Sequence, residues 1–372
     1  MPTPQQAAAA LFEELDAIGA AAPDGASFDP RALDLIAGAG LSAISVPKEV
    51  GGNELPLLDV LDVWSELARA DGSIGWVAFA VDSAASYFGS YLPDDGAAEV
   101  FGGGVPVLAG QFAPNGAGTQ DGDAWVVDGS YQFGSGLTVA NLAGCGFFAT
   151  PADGGDAGYR FGVAPIAAAQ VQGNWNVLGL RATRSVDYVL DGVRIPDRHT
   201  FDFFAPVRHR GSAMHHLGVL PLTAVGHAAW ALGVTRRLLD ELRAAVTRTR
   251  MGAASSIGES DHGLITIAHL ESKYASGRAW VREACEHAEA ECAETGEFLS
   301  VPTSNLVRQA CVHVNQTGVD IAGEAYRLAG TVALRDGAFQ RAFRDLHAGG
   351  QHFFASNAAS IDWAKTLLEQ ET

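Results

Sequence analysis

The sequence predicts an α+β protein of three units: an N-terminal helical domain over residues 1–104, a central antiparallel β domain over 105–206, and a C-terminal four-helix bundle over 207–372. Three observations predict it. Apolar residues recur at helical spacing up to about Gly104, short glycine-rich alternating runs replace them from Val105 to Pro206, and long helical spacing returns after Pro206.

The first unit opens with a short helix around Leu11, Leu15 and Ile18, followed by a Pro/Gly/Asp loop from Ala22 to Pro30. Asp29-Pro30 starts a second helix that runs to about Ala39, because aspartate caps free N–H groups and proline suits the first helical position. Ser45 to Gly52 reads as a turn. Leu57, Val60, Leu61, Trp64 and Leu67 then mark a third helix ending near Ala70. The fourth, from Ser73 to Tyr91, lacks a polar face and should be buried between other elements.

In the second unit six β-patterned runs follow: 105–110, 124–134, 144–150, 160–166, 168–175 and 183–193. Asn-Gly, Asp-Gly and Gly-Gly turn signals bound them, as in an antiparallel barrel or sandwich. In the third unit Leu217, Leu220, Ala224, Ala228, Ala231, Leu238 and Leu242 keep helical register, and so do Leu264, Ile267, Leu270, Tyr274 and Val281. Two further helices lie at about Thr303 to Leu328 and Ala338 to Leu368, the last broken near Gly349-Gly350.

A formal net charge of −19 leaves no basic field for phosphodiesters, so nucleic acid and anionic membrane are excluded as partners. No apolar run is long enough to span a bilayer and no signal-like segment opens the chain; the expectation is a cytoplasmic protein. Cys145, Cys285, Cys292 and Cys311 show neither zinc-ligand spacing nor disulfide density, and read as buried free thiols. The eleven histidines, including the pair His215-His216, form no metal-ligand motif, so no metal is expected.

Several stretches carry chemistry. Asp71-Gly-Ser-Ile-Gly-Trp76 opens the apolar fourth helix, Leu108 to Thr119 is followed by Trp125 to Gly136 with its Phe133-Gly134-Ser135-Gly136 ending, and Gly179 to Pro196 contains Gly-x-Arg and Thr/Ser positions. Arg248-Thr-Arg250-Met-Gly252 ends the first bundle helix. Near the C-terminus Arg344-Asp345 precedes Gly349-Gly350-Gln351-His352-Phe353-Phe354. Taken singly, Trp76 reads as core, Phe133 to Gly136 as a bulged strand end, Arg248 and Arg250 as a solvated helix end, and His352 as a bonded core histidine.

Together they resemble the acyl-CoA dehydrogenase superfamily, and with His352 where a dehydrogenase has a glutamate, its two-component flavin-dependent monooxygenase branch. The resemblance implies the acyl-CoA dehydrogenase-like fold, with the central domain an antiparallel β-barrel. It implies that Gln111, Phe112, Phe133, Gly134 and Ser135 hold flavin, with the Ser135 hydroxyl or a strand backbone group at flavin N5, and that Arg248 or Arg250 reaches the flavin phosphate of a neighbouring subunit. Ser135 and His352 would be catalytic; Trp76, Phe353, Phe354, His215 and His216 would line the substrate pocket. Gly179 to Pro196 is assigned a structural part.

Implied with these are reduced FMN or FAD (FMNH2 or FADH2) and O2, reacting through a C4a-hydroperoxyflavin, and a homotetramer. The chain shows no Gly-x-Gly-x-x-Gly fingerprint, so a separate NAD(P)H-flavin reductase would supply the reduced flavin. A small aromatic or heteroatom-containing molecule would be the substrate. Two alternatives stay open: an FAD desaturase of an acyl thioester, which needs a carboxylate base that only Glu324 could be proposed to supply, and a relative without catalysis. Relatives of this branch carry a histidine two turns after the helix tryptophan; here Asp82, Ser83 and Ser86 occupy that neighbourhood.

Overall fold

A computed structural model describes residues 2–22, 28–155, 158–249 and 255–369. The first predicted helix is two, α1 (Pro4–Ala10) and α2 (Phe12–Ala21), hinged at Leu11. Asp29 caps α3 (Pro30–Gly38), accepting from the Arg31 N–H at 3.0 Å. Then come α4 (Leu57–Ala70), α5 (Gly72–Tyr91) and a short α6 (Asp94–Phe101). Every α5 residue except Ala80 is buried, because α4, α7 and the sheet cover it on all sides.

Among the described residues seven strands follow: β1 (Leu108–Asp121), β2 (Ala124–Gly134), β3 (Leu142–Thr150), β4 (Gly158–Pro165), β5 (Gln170–Gln172), β6 (Val186–Pro196) and β7 (Thr200–Asp202). They form one sheet in the order β5-β6-β2-β1-β3-β4-β7. The expected antiparallel barrel needs correction on two counts. β1 pairs with β3 in parallel, and the edge strands β5 and β7 do not pair with each other, so the described sheet is mixed and open. After the tight Asp121-Gly122 hairpin the chain leaves β2 and crosses β1 through a turn at Leu137–Val139, so β3 arrives on the far edge of β1 running in its direction.

The C-terminal helices are α7 (Val219–Val246), α8 (Asp261–Thr295), α9 (Val301–Ala329), α10 (Ala338–Gly349) and α11 (Ala358–Glu369). α9 packs on α7, α8, α10 and α11, while α7 also packs on α4. That last contact is close: a Cβ at Gly233 would lie 2.1 Å from the Ser65 carbonyl oxygen. α10 stops where Gly349 meets Trp230, whose ring sits 2.2 Å from where a Cβ would stand. All four cysteines are buried free thiols. Among the described residues no helix is long and apolar enough to cross a membrane, and no cluster of His, Cys, Asp and Glu could hold a metal ion.

Candidate active site

Trp76 is the hub. It stands one turn into α5, which Asp71 starts by accepting from the N–H groups of Ser73 and Ile74. Its indole Nε1 donates to Ser135 Oγ at 3.0 Å, joining α5 to the end of β2. Edge-on to the same indole lie Trp230 and His227, each with ring centroids at 4.9 Å, and His352 at 5.5 Å. His227 and His352 stack at 4.2 Å, and Phe354 continues the stack on His227 at 5.1 Å. Helices α5 and α7, the β2 end and the loop after α10 therefore converge on one aromatic box.

His352 caps the short turn Phe353–Ala355, its Nδ1 accepting from the Phe354 N–H at 3.4 Å. The neutral ring then carries its hydrogen on Nε2 as a donor. Burial pushes the His352 imidazole down to about 4. His227 is held well below its ordinary value, by burial first and by the neighbouring His352 second. Only 4% of His227 is exposed, and neither ring nitrogen has a hydrogen-bond partner among the described residues.

A register shift between Tyr131 and Gly134 in the β2–β6 pairing bends the strand end and delivers Ser135 to Trp76. Phe133 pays for this bend with a left-handed backbone (φ 59°), and its exposed ring stands edge-on to Trp175. Ser135 Oγ continues to Ser185 Oγ at 2.8 Å, which meets Thr183 Oγ1 at 2.7 Å. Thr183 Oγ1 donates to the Leu180 carbonyl at 2.8 Å. The Leu180 N–H in turn donates to the Asp345 carboxylate at 2.5 Å, tying this loop to α10. Burial, and then the charge of Asp71, push Asp345 up to about 7.

Of the sequence-derived candidates the structure gathers Trp76, Ser135, His352 and Phe354, with Gly134 beside them in the strand end and Phe353 exposed at the rim. Gln111 is engaged within the sheet: its N–H donates to the Tyr188 hydroxyl and its side chain accepts from Gln132 and Asn115. Phe112 stacks on Phe161 at 4.4 Å, in the packing between sheet and α5. His215 and His216 do not join the box. His215 Nδ1 accepts from Ser212 and its Nε2 faces the Ser45 carbonyl at 2.9 Å, while His216 Nε2 accepts from Arg208 Nε at 2.6 Å. Both ring nitrogens of His215 and one of His216 serve loop structure, while His216 Nδ1 is buried without a partner among the described residues, which adjacency in sequence could not reveal. Arg248 is exposed just past α7, and Arg250 lies outside the described residues.

Sequence reasoning missed His227, Ser185 and Thr183. His227 stands three residues before Trp230 on α7, a lone histidine in an apolar run and so indistinguishable from core. Ser185 and Thr183 fall in the stretch assigned a structural part.

Residues 5–91 match the acyl-CoA dehydrogenase N-terminal domain and residues 225–357 the acyl-CoA dehydrogenase C-terminal domain. The chain is 27% identical over 350 residues to an indole-3-acetate monooxygenase of Pseudomonas putida, covering 90% of this chain and 87% of that protein. It is 26% identical over 347 residues to the flavin-dependent monooxygenase, oxygenase subunit HsaA, of Mycobacterium tuberculosis, covering 87% and 83%. The crystal structure of the HsaA monooxygenase from M. tuberculosis superposes with a TM-score of 0.90 at 18% identity, over 99% of this chain and 97% of that one. The chain belongs to the acyl-CoA dehydrogenase superfamily, in the branch that holds the two-component flavin-dependent monooxygenases.

Proposed function

We propose that the chain is the oxygenase component of a two-component monooxygenase, using O2 and reduced FMN or FAD from a separate NAD(P)H-flavin reductase to oxygenate a small aromatic or heteroatom-containing molecule. The observation that carries this is the Trp76–Ser135 hydrogen bond beside the stacked imidazoles of His227 and His352.

The residues present fit a flavin. Ser135 Oγ is half-buried at the end of β2, two residues after the exposed ring of Phe133, and among the described residues no protein group hydrogen-bonds the ring nitrogens of His227. Bound there, reduced flavin supplies the electrons that activate dioxygen. Ser135 would hold the flavin edge, with Gln111, Phe133 and Gly134 as strand support. Arg248, at the surface, or Arg250 would meet a flavin phosphate across a subunit boundary. Trp76, Phe354 and Phe353 would enclose a flat substrate and exclude water, and His352 would orient the substrate or exchange a proton with it through Nε2. Division at residues 104 and 206, a C-terminal four-helix bundle, a homotetramer and a cytoplasmic place complete the reading.

Among the described residues the desaturase alternative lacks its base. Around Trp76 the titratable side chains are imidazoles; Asp345 is turned to the Leu180 N–H, Asp71 caps α5, and Glu324 pairs with Lys273 at 2.5 Å in an exposed position. To test the reading, the purified chain is combined with a flavin reductase, NADH, FMN or FAD and 18O2, with indole, indole-3-acetate and simple phenols as probes. One 18O atom in a product is expected. Peroxide as the sole oxygen product with every probe, together with bleaching of bound FAD by acyl-CoA thioesters, would overturn it.

A further inference from the structure

The hydrogen bonds that leave Ser135 can be directed donor by donor. An indole N–H only donates and a carbonyl only accepts, whereas each hydroxyl has one hydrogen to give. Thr183 must give its hydrogen to the Leu180 carbonyl, 2.8 Å away. In the 2.7 Å contact between Thr183 and Ser185 the donor is then Ser185, and in the 2.8 Å contact between Ser185 and Ser135 the donor is Ser135. Trp76 donates to Ser135 from the other side. The chain runs one way, from Trp76 through Ser135, Ser185 and Thr183 to Leu180.

We infer that Ser185 and Thr183 are positioning residues that commit the Ser135 hydrogen away from the ligand, so that Ser135 presents flavin N5 with an acceptor lone pair and favours reduced over oxidised flavin. This rests on the proposed reading of Ser135 as the N5 contact. Reduced flavin carries a hydrogen on N5 and can donate it; oxidised flavin has only a lone pair there, which would face the lone pair of Ser135.

The fold holds both ends of the chain. Trp76 is fixed between Trp230 and the two histidines. Leu180 adopts a left-handed backbone (φ 54°), with its N–H held by Asp345 and its carbonyl also receiving the Trp175 Nε1–H at 3.2 Å. Thr183 and Ser185 are buried, at 0% and 3% exposure, so water is kept from resetting their direction. Reversing the chain would leave the Thr183 and Leu180 oxygens at 2.8 Å with no hydrogen between them. Each donor in such a row also polarises the next.

The experiment is anaerobic equilibrium binding of oxidised and dithionite-reduced FMN and FAD to the whole protein and to Ser185→Ala and Thr183→Val. Either change removes the acceptor that fixes the row, and frees Ser135 to donate outward. The preference for reduced flavin is expected to fall about tenfold, one hydrogen bond's worth. The midpoint potential of the bound flavin, read by spectroelectrochemistry, should drop by about 30 mV for a two-electron couple. In a Ser135→Ala background the same changes should do nothing. Thr183→Val is nearly isosteric and carries the test if Ser185→Ala folds poorly. A chain that binds both flavin forms with an unmoved ratio in both variants overturns this inference alone; one that binds neither form sinks the flavin reading with it.

Discussion

His227 and His352 lie face to face, with ring centroids 4.2 Å apart and their planes 27° from parallel, on elements separated by more than a hundred residues of chain. Two imidazoles so placed cannot both hold a proton, and burial drives both toward the neutral form.

Stability should therefore depend on pH in a known direction. His352 has a folded value of about 4 against an ordinary 6.5, so the unfolded chain binds more protons between those values and stability is lost as pH falls through that window. His227, also lowered, adds to the loss. In urea melts from pH 7 to pH 4, His352→Gln should lose less stability than the native chain. Equal losses at every pH would contradict the neutral pair.

Replacing His227 by phenylalanine keeps a flat ring against His352 and Phe354 but removes both nitrogens. The expected result is an unchanged melting temperature to within a few degrees, with oxygenated product reduced by about a hundredfold and peroxide release taking its place. Product and peroxide measured in one assay decide it, and undiminished product would exclude His227 from the site.

Asp345 predicts opposite outcomes for two substitutions. Its folded value of about 7 is raised above the ordinary 3.8, so the native chain is fully supported at low pH and loses that support as pH climbs from about 4 to 7. Asparagine keeps an oxygen for the Leu180 N–H without the charge, so Asp345→Asn should match the native chain near pH 4 and exceed it at pH 8. Asp345→Ala strands that N–H and should cost about 1–3 kcal/mol at either pH. Thermal melts of the three proteins at both pH values give the comparison.

At Gly349 even a methyl group meets the Trp230 ring. Gly349→Ala should destabilise the chain by about 1–3 kcal/mol and disturb Trp76, which leans on the same indole. Tryptophan fluorescence alongside the melt would register both effects.

Much of this arrangement could be read from the sequence where local pattern and family resemblance agreed. α5 declared its burial by having no polar face, and Trp76, Ser135 and His352 were named from three separate stretches that the structure brings to one indole. What escaped depends on long-range geometry. The parallel β1–β3 pairing follows from a crossing after β2 that no turn signal encodes. The His215-His216 pair looked like pocket chemistry, yet a single turn of 3-10 helix points one ring at Ser45 and offers the other to Arg208. His227 looked like core because only the fold brings His352 to its face.

The burial of α5 also has a price in time. Leaving the ribosome early, this twenty-residue apolar helix needs both the sheet and α7 to cover it, and α7 ends only at Val246. At ordinary translation speed that wait is on the order of ten seconds. Through that interval only α4, made just before it, can cover part of α5, and the yield of active protein should hinge on the holdase capacity of the cell that makes it.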